Sequence, residues 1–239
     1  MRVLAGTSGY SFKEWLGKFY PDKLPADAML RFYSEHLATV EINNTFYRMP
    51  AEAMLARWAT EVPAHFRFTL KAPRRITHEK RLRDASEDAA EFLRRASVLG
   101  DKLGMLLFQL PPFLKKDLPR LSDFLAALPA GPRIAFEFRH DSWQDDEVYE
   151  CLKSRAAALC VTDTETGDTP FVATTDWGYL RLRRTRYDDA ELRAWVRLIA
   201  AQPLSRAYVY FMHEDDALGT RFATRFGELW REAGGTTEA

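Results

Sequence analysis

Eight short apolar runs recur along the chain, each followed by a stretch long enough for a helix, and this rhythm limits the fold more than any other feature. The runs cover 3–6, 39–42, 67–70, 104–109, 133–138, 158–161, 178–182 and 207–211. Between them, apolar residues return at helical spacing: Met29, Phe32, Tyr33 and Leu37; Ala89, Phe92, Leu93 and Ala96; Leu192, Trp195, Val196 and Ile199; Phe222, Phe226, Leu229 and Trp230. Strands joined through helices need crossover connections, so the sheet is expected to be parallel. Eight βα units in 239 residues fit a single α/β domain, an irregular (β/α)8 TIM-type barrel. A doubly wound open sheet is the rival closure, and two small domains a weaker alternative. The barrel is expected over 1–233, with 234–239 as a flexible tail. Pro50, Pro119 and Pro132 read as turns, and Pro25 as a helix start.

Composition narrows the function classes. Lys plus Arg and Asp plus Glu both number 34, so the formal charge is zero, which disfavours a nucleic-acid partner. Two cysteines, Cys151 and Cys160, support neither a disulfide framework nor a zinc site, and Cys160 reads as a small core residue. The opening Met1-Arg2-Val3-Leu4-Ala5-Gly6 is too short for a signal peptide, and no run nears membrane-spanning length. The expected compartment is the cytoplasm, with no membrane partner. Gly6-Thr7-Ser8-Gly9-Tyr10 lacks the third glycine of a dinucleotide-binding turn, so the cofactor stays unknown, and a divalent metal has no ligand motif behind it.

Barrel enzymes place their chemistry at the C-terminal ends of the strands, and here most strands end in residues that resist burial. Glu41 and Asn43 share a face, as do Glu137 and Arg139, and Arg181 and Arg183. Lys71 closes the third run and Gln109 the fourth; Asp163 follows the sixth and His213 the eighth. Each has a plain alternative: Glu137 with Arg139 could be a structural ion pair, and His140 or His213 an ordinary hydrogen-bonding histidine. Most tryptophans read as packing residues, whereas Trp143 reads as a site wall. Convergence of so many polar ends on one mouth favours a small-molecule pocket.

The motifs also carry a resemblance. Gly6-Thr7-Ser8-Gly9-Tyr10 with Trp15-Leu16-Gly17-Lys18-Phe19-Tyr20-Pro21, Val40 through Tyr47, Lys71 with Ile76-Thr77-His78, Leu99-Gly100 with Lys102-Leu103-Gly104, Leu106 through Pro112, and Glu137-Phe138-Arg139-His140 with Ser142-Trp143 resemble the YecE-like family, domain of unknown function 72. The resemblance implies a TIM barrel and gathers Glu41, Asn43, Lys71, His78, Gln109, Glu137 and Arg139 at one face, but it brings no reaction with it. The chain departs from the family pattern at Arg181-Leu182-Arg183-Arg184, where Arg-x-His-Gly is usual, and at Phe211-Met212-His213-Glu214-Asp215-Asp216, where asparagines are usual.

The expected function is an enzyme acting on a small polar ligand, phosphorylated or sugar-like, by acid–base chemistry of a hydrolase or isomerase type. Glu137 or Glu41 would be the base if burial tunes its pKa toward neutral. Lys71, Arg139, Asn43, His78, Gln109, Arg181, Asp163, His140, Trp143 and Tyr10 would bind substrate. Two alternatives stand beside it. One is a metal-dependent phosphodiesterase or nuclease-like barrel using Glu41, Glu137, Asp163, His140 and His213. The other is a non-catalytic nucleic-acid or ligand-binding protein using Arg74, Arg75, Arg181, Arg183, Arg184 and Arg186.

Overall fold

The computed structural model describes residues 1–165, 167–212 and 215–237, so His213 lies outside the described residues. Its main strands are β1 (Arg2–Thr7), β2 (Thr39–Ile42), β3 (Arg67–Lys71), β4 (Leu103–Gln109), β5 (Ile134–Glu137), β6 (Ala158–Thr164), β7 (Trp177–Leu182) and β8 (Arg206–Phe211). They follow the apolar runs to within one residue, except that β6 continues to Thr164. Each pairs in parallel with the next, and β8 returns to β1 from Arg2↔Arg206 to Thr7↔Phe211. The sheet is therefore closed, and the open-sheet alternative is set aside.

Side-chain alternation sorts each strand into two faces. Outward residues such as Phe68, Leu70, Leu106, Phe108, Phe136, Leu180 and Val209 join the main core beneath the helices. Inward residues Leu4, Met105, Leu107, Ala135, Ala158, Cys160, Tyr179, Tyr208 and Tyr210 form a separate core inside the barrel. The same parity carries Glu41, Lys71, Gln109, Glu137 and Arg181 into the barrel one step higher, at its C-terminal end. Between the two layers, the Tyr210 hydroxyl lies 2.8 Å from Thr39 Oγ1 and 2.7 Å from Thr69 Oγ1.

The helices are α1 (Met29–His36), α2 (Glu52–Glu61), α3 (Ser86–Ala96), α4 (Leu118–Ala127), α5 (Asp146–Ser154), α6 (Asp189–Ala200) and α7 (Leu218–Glu232). Ala89, Phe92, Leu93 and Ala96 are all buried, as are Leu192, Trp195, Val196 and Ile199, so these apolar stripes face the barrel. Pro119 falls in the first turn of α4 rather than in a turn, because a first-turn residue needs no intrahelical N–H partner. No helix among the described residues is long and apolar enough to cross a membrane.

Two closures are tighter than expected. Gly6 passes so close to β2 that a β-carbon there would sit 1.9 Å from the Thr39 carbonyl oxygen, which explains a glycine in mid-strand. In the stretch expected as a tail, Thr236 and Thr237 pair with Arg2 and Val3, and Trp230 Nε1 donates to the Thr236 carbonyl at 3.2 Å, while 238–239 lie outside the described residues.

Candidate active site

A fully buried guanidinium organises the mouth. Arg181, on β7, donates from Nη2 to Glu41 Oε1 at 2.8 Å and from Nη1 to Glu137 Oε2 at 2.5 Å. The three side chains come from strands far apart in sequence and meet because each occupies the same inward level. Tyr179, one inward step below Arg181, donates its hydroxyl to Glu41 Oε2 at 2.5 Å. Asn43 Nδ2 donates to Glu41 Oε1 at 3.1 Å, and Gln109 Nε2 to Glu137 Oε2 at 2.8 Å. Arg139 Nε and Arg183 Nη1 reach Glu137 Oε1 from the rim, at 3.0 and 3.3 Å. All four carboxylate oxygens are therefore engaged. Arg181 Nε and Asn43 Oδ1 remain buried without a partner.

This network sets the protonation states. Burial alone would raise both carboxyl pKa values, but Arg181, joined at Glu41 by the Tyr179 hydrogen bond, holds that carboxyl below its ordinary 4.5. At Glu137 burial is again outweighed, by Arg181, Arg139 and Arg183, and the carboxyl is held well below the usual range. The near-neutral carboxylate expected as a general base is thus absent at both positions, because each expected base is clamped by arginine.

Lys71 takes the opposite course. Its ammonium lies 4.2 Å above the centre of the Phe46 ring, with no carboxylate oxygen of the described residues within 4.0 Å. The residue is 9% exposed. Burial, with Arg181 next, lowers its pKa from 10.5 to about 8, against the opposing pull of Glu41 and Glu137. His78 lies in a one-turn π-helix, Arg75–Glu79, and meets the same Phe46 ring edge-on at 4.8 Å. Burial, then Lys71 and Arg139, lower its pKa, and its Nδ1 lies 2.9 Å from Thr77 Oγ1.

Two cavities open onto this floor and meet at Arg183. One, of about 620 Å³, is lined by residues including Ser8, Tyr10, Asn43, Phe46, Lys71 and Arg181. The other, of about 670 Å³, is bounded by Glu137, Phe138, Arg139, Asp141, Thr162 and Asp168. The second is walled by a short hairpin in which Gly167–Asp168 pairs antiparallel with the end of β6. Asp168 is itself paired with Arg184 at 2.9 Å.

Glu41, Asn43, Lys71, Gln109, Glu137, Arg139 and Arg181 converge as anticipated, with Tyr10 and His78 close by. Three others do not face the mouth. Asp163 turns outward, because β6 continues past it and alternation gives the inward place to Thr162. It accepts from the Tyr187 hydroxyl at 2.7 Å and from the Arg183 amide, bracing the loop after β7. His140 Nδ1 accepts from the Ser142 amide at 3.2 Å, capping the turn Asp141–Trp143. Trp143 is buried behind Phe138, stacked on it at 4.6 Å with its Nε1 donating to the Leu114 carbonyl, so Phe138 is the wall. Tyr179 and Phe46 join the site beyond the residues expected from the sequence, and Arg183, expected only for the binding-protein alternative, joins it too; Tyr179 and Arg183 share the inward parity of Arg181.

Of the residues named for the metal alternative, Glu41 and Glu137 are engaged by Arg181, Asp163 turns outward and His213 lies outside the described residues. Among the described residues, no three of His, Cys, Asp and Glu are grouped as metal ligands. Arg74 and Arg75 pair with Glu79 and Asp88, at 3.1 and 3.2 Å, and Arg181, Arg183 and Arg184 are likewise committed to carboxylates.

Comparison with known proteins agrees with the fold. The family described as "Protein of unknown function DUF72" matches residues 4–239. The UPF0759 protein YecE of Escherichia coli K12 is 37% identical over 112 residues, 46% of this chain and 41% of that protein. The UPF0759 protein YunF of Bacillus subtilis is 30% identical over 139 residues, 55% of this chain and 49% of its own length. The matched stretches thus span about half or less of these relatives. A crystal structure of a DUF72 family protein from Thermotoga maritima aligns with a TM-score of 0.83 at 26% identity, covering 97% of this chain and 100% of that one. One from Enterococcus faecalis shares the fold at 20% identity and a TM-score of 0.79.

Proposed function

The chain belongs to the DUF72 family, and on that footing we propose that it is an enzyme binding a small anionic, hydroxylated substrate at the C-terminal mouth of its barrel. The observation that carries this reading is the charge around Arg183. The cavity of about 620 Å³ is lined by three cationic side chains, Lys71, Arg181 and Arg183, and by no carboxylate among the described residues. That surplus favours phosphate or carboxylate, with arginine supplying the fork geometry.

The division of labour differs from the one the sequence suggests. Glu41 and Glu137 fix the floor as permanent anions. Lys71, whose pKa is lowered to about 8 chiefly by burial, is the group suited to exchange protons with substrate. Arg139 and Arg183 hold the anionic end, and Asn43 offers its unpaired oxygen to a hydroxyl.

The test is thermal stabilisation by a panel of phosphate, sugar phosphates and small carboxylates, for wild type and for Arg139→Gln and Arg183→Gln. Stabilisation of wild type that either substitution weakens at least tenfold in ligand concentration supports the reading. If no anion stabilises the wild type, or both variants respond as the wild type does, the reading falls.

A further inference from the structure

Among the described residues, Lys71 is the mouth cation left over when the carboxylates have been shared out. Glu41 is taken by Arg181, Asn43 and Tyr179, and Glu137 by Arg181, Arg139, Arg183 and Gln109. An ammonium calls for three acceptors. Lys71 instead has the face of Phe46 below it, Arg181 as a like-charged neighbour and little water around it. Its side chain nevertheless lines the cavity bounded by Ser8, Tyr10, Asn43 and Arg183, so a ligand there can reach it. A desolvated amine beside another cation, open to a substrate cavity, is the arrangement that turns lysine into a nucleophile.

We propose that Lys71 forms a covalent imine with its substrate, and that the substrate is a small aldehyde or ketone bearing a phosphate or carboxylate. This rests on the reading of the mouth as an anion-binding site. The neutral Nζ attacks the carbonyl carbon, forming a C–N bond while the C=O π pair moves to oxygen. That oxygen takes the proton released by nitrogen. One further proton from solvent lets the C–O bond break, and water leaves. The sum is amine plus carbonyl plus a proton giving iminium plus water, with no oxidant or reductant.

The surroundings suit the product. Glu41 and Glu137 oppose the repulsion of Arg181 and Arg139 at Nζ, and so favour an iminium cation there. Arg183 lines the same cavity and receives the anionic end of the substrate. The titratable and charged groups acting on Lys71 are Arg181, Glu41, Glu137 and Arg139, and it in turn acts on His78.

The experiment is reductive trapping on the full chain. Wild type is incubated at pH 8 with pyruvate, succinate semialdehyde, dihydroxyacetone phosphate or glyceraldehyde 3-phosphate, plus cyanoborohydride, then read by intact mass and peptide mapping. The expected result is one adduct on Lys71 with at least one probe, formed at least tenfold faster than on Lys115 or Lys153. Inorganic phosphate should slow it, and Lys71→Gln should lack it. Because mapping is done on wild type, a folding defect in the variant does not decide the outcome. Labelling of Lys71 no faster than those lysines, or no Lys71 adduct with any probe, overturns the proposal. If anions stabilise the protein but nothing is trapped, the imine fails alone; if neither occurs, the anion-site reading fails with it.

Discussion

Arg181 Nη1 lies 2.5 Å from Glu137 Oε2, and both side chains are sealed from solvent. Removing the guanidinium while keeping the bulk, as in Arg181→Met, leaves Glu41 and Glu137 buried without their shared cation. Breaking such a buried cluster costs about 3–5 kcal/mol. Urea unfolding should show that loss, and a change below about 1 kcal/mol would mean that the carboxylates relax to water.

Acid sensitivity follows from the same contact. Glu41 and Glu137 have folded pKa values below 4.5, so the native state binds fewer protons than the unfolded chain as pH falls through that value. Their contribution is therefore present at neutral pH and is lost progressively on acidification below about 4.5. Glu137→Gln should lower stability at pH 7 and flatten the acid limb, measured as urea midpoint against pH.

Lys71 has the opposite sign. Its folded pKa of about 8 lies below the unfolded 10.5, so the unfolded chain holds the extra proton and stability rises with pH between those values. Lys71→Met should thus stabilise the protein at pH 7, by on the order of 2 kcal/mol, with the gain shrinking toward pH 10. The same substitution should abolish reductive trapping at this position.

Gly6→Ala and Gly227→Ala should move in opposite directions. At Gly6 the added carbon meets the Thr39 backbone at 1.9 Å, so overpacking should cost about 3 kcal/mol or more. At Gly227, within α7, nothing lies within 4 Å, and the helix should gain about 0.5–1 kcal/mol. Thermal unfolding of the two variants measures both.

Much of this was legible because alternation is a strict rule. Once the run 133–138 is a strand, Glu137 and Arg139 fall on one face, and the same holds for Glu41 with Asn43. Errors arose where a boundary was short. Ending the sixth run at Val161 placed Asp163 in a loop over the mouth, whereas the strand runs to Thr164 and points it outward. Trp143 was placed by its nearness to His140, but a turn folds it back behind Phe138. The protonation states were illegible for another reason. They depend on Arg181 reaching carboxylates 140 and 44 residues away, a distance that no local pattern records.

The buried ion triad also acts on the barrel as a whole, as a notch that fixes stagger. Apolar layers tolerate sliding, since leucine against valine costs little more than leucine against methionine. A slip of two residues in β2, β5 or β7 keeps every inward side chain inward. It would nevertheless strand a full charge among Tyr179, Cys160 and Met105, at a cost of several kcal/mol. Glu41, Glu137 and Arg181 thereby penalise such a slip more heavily than an apolar layer would.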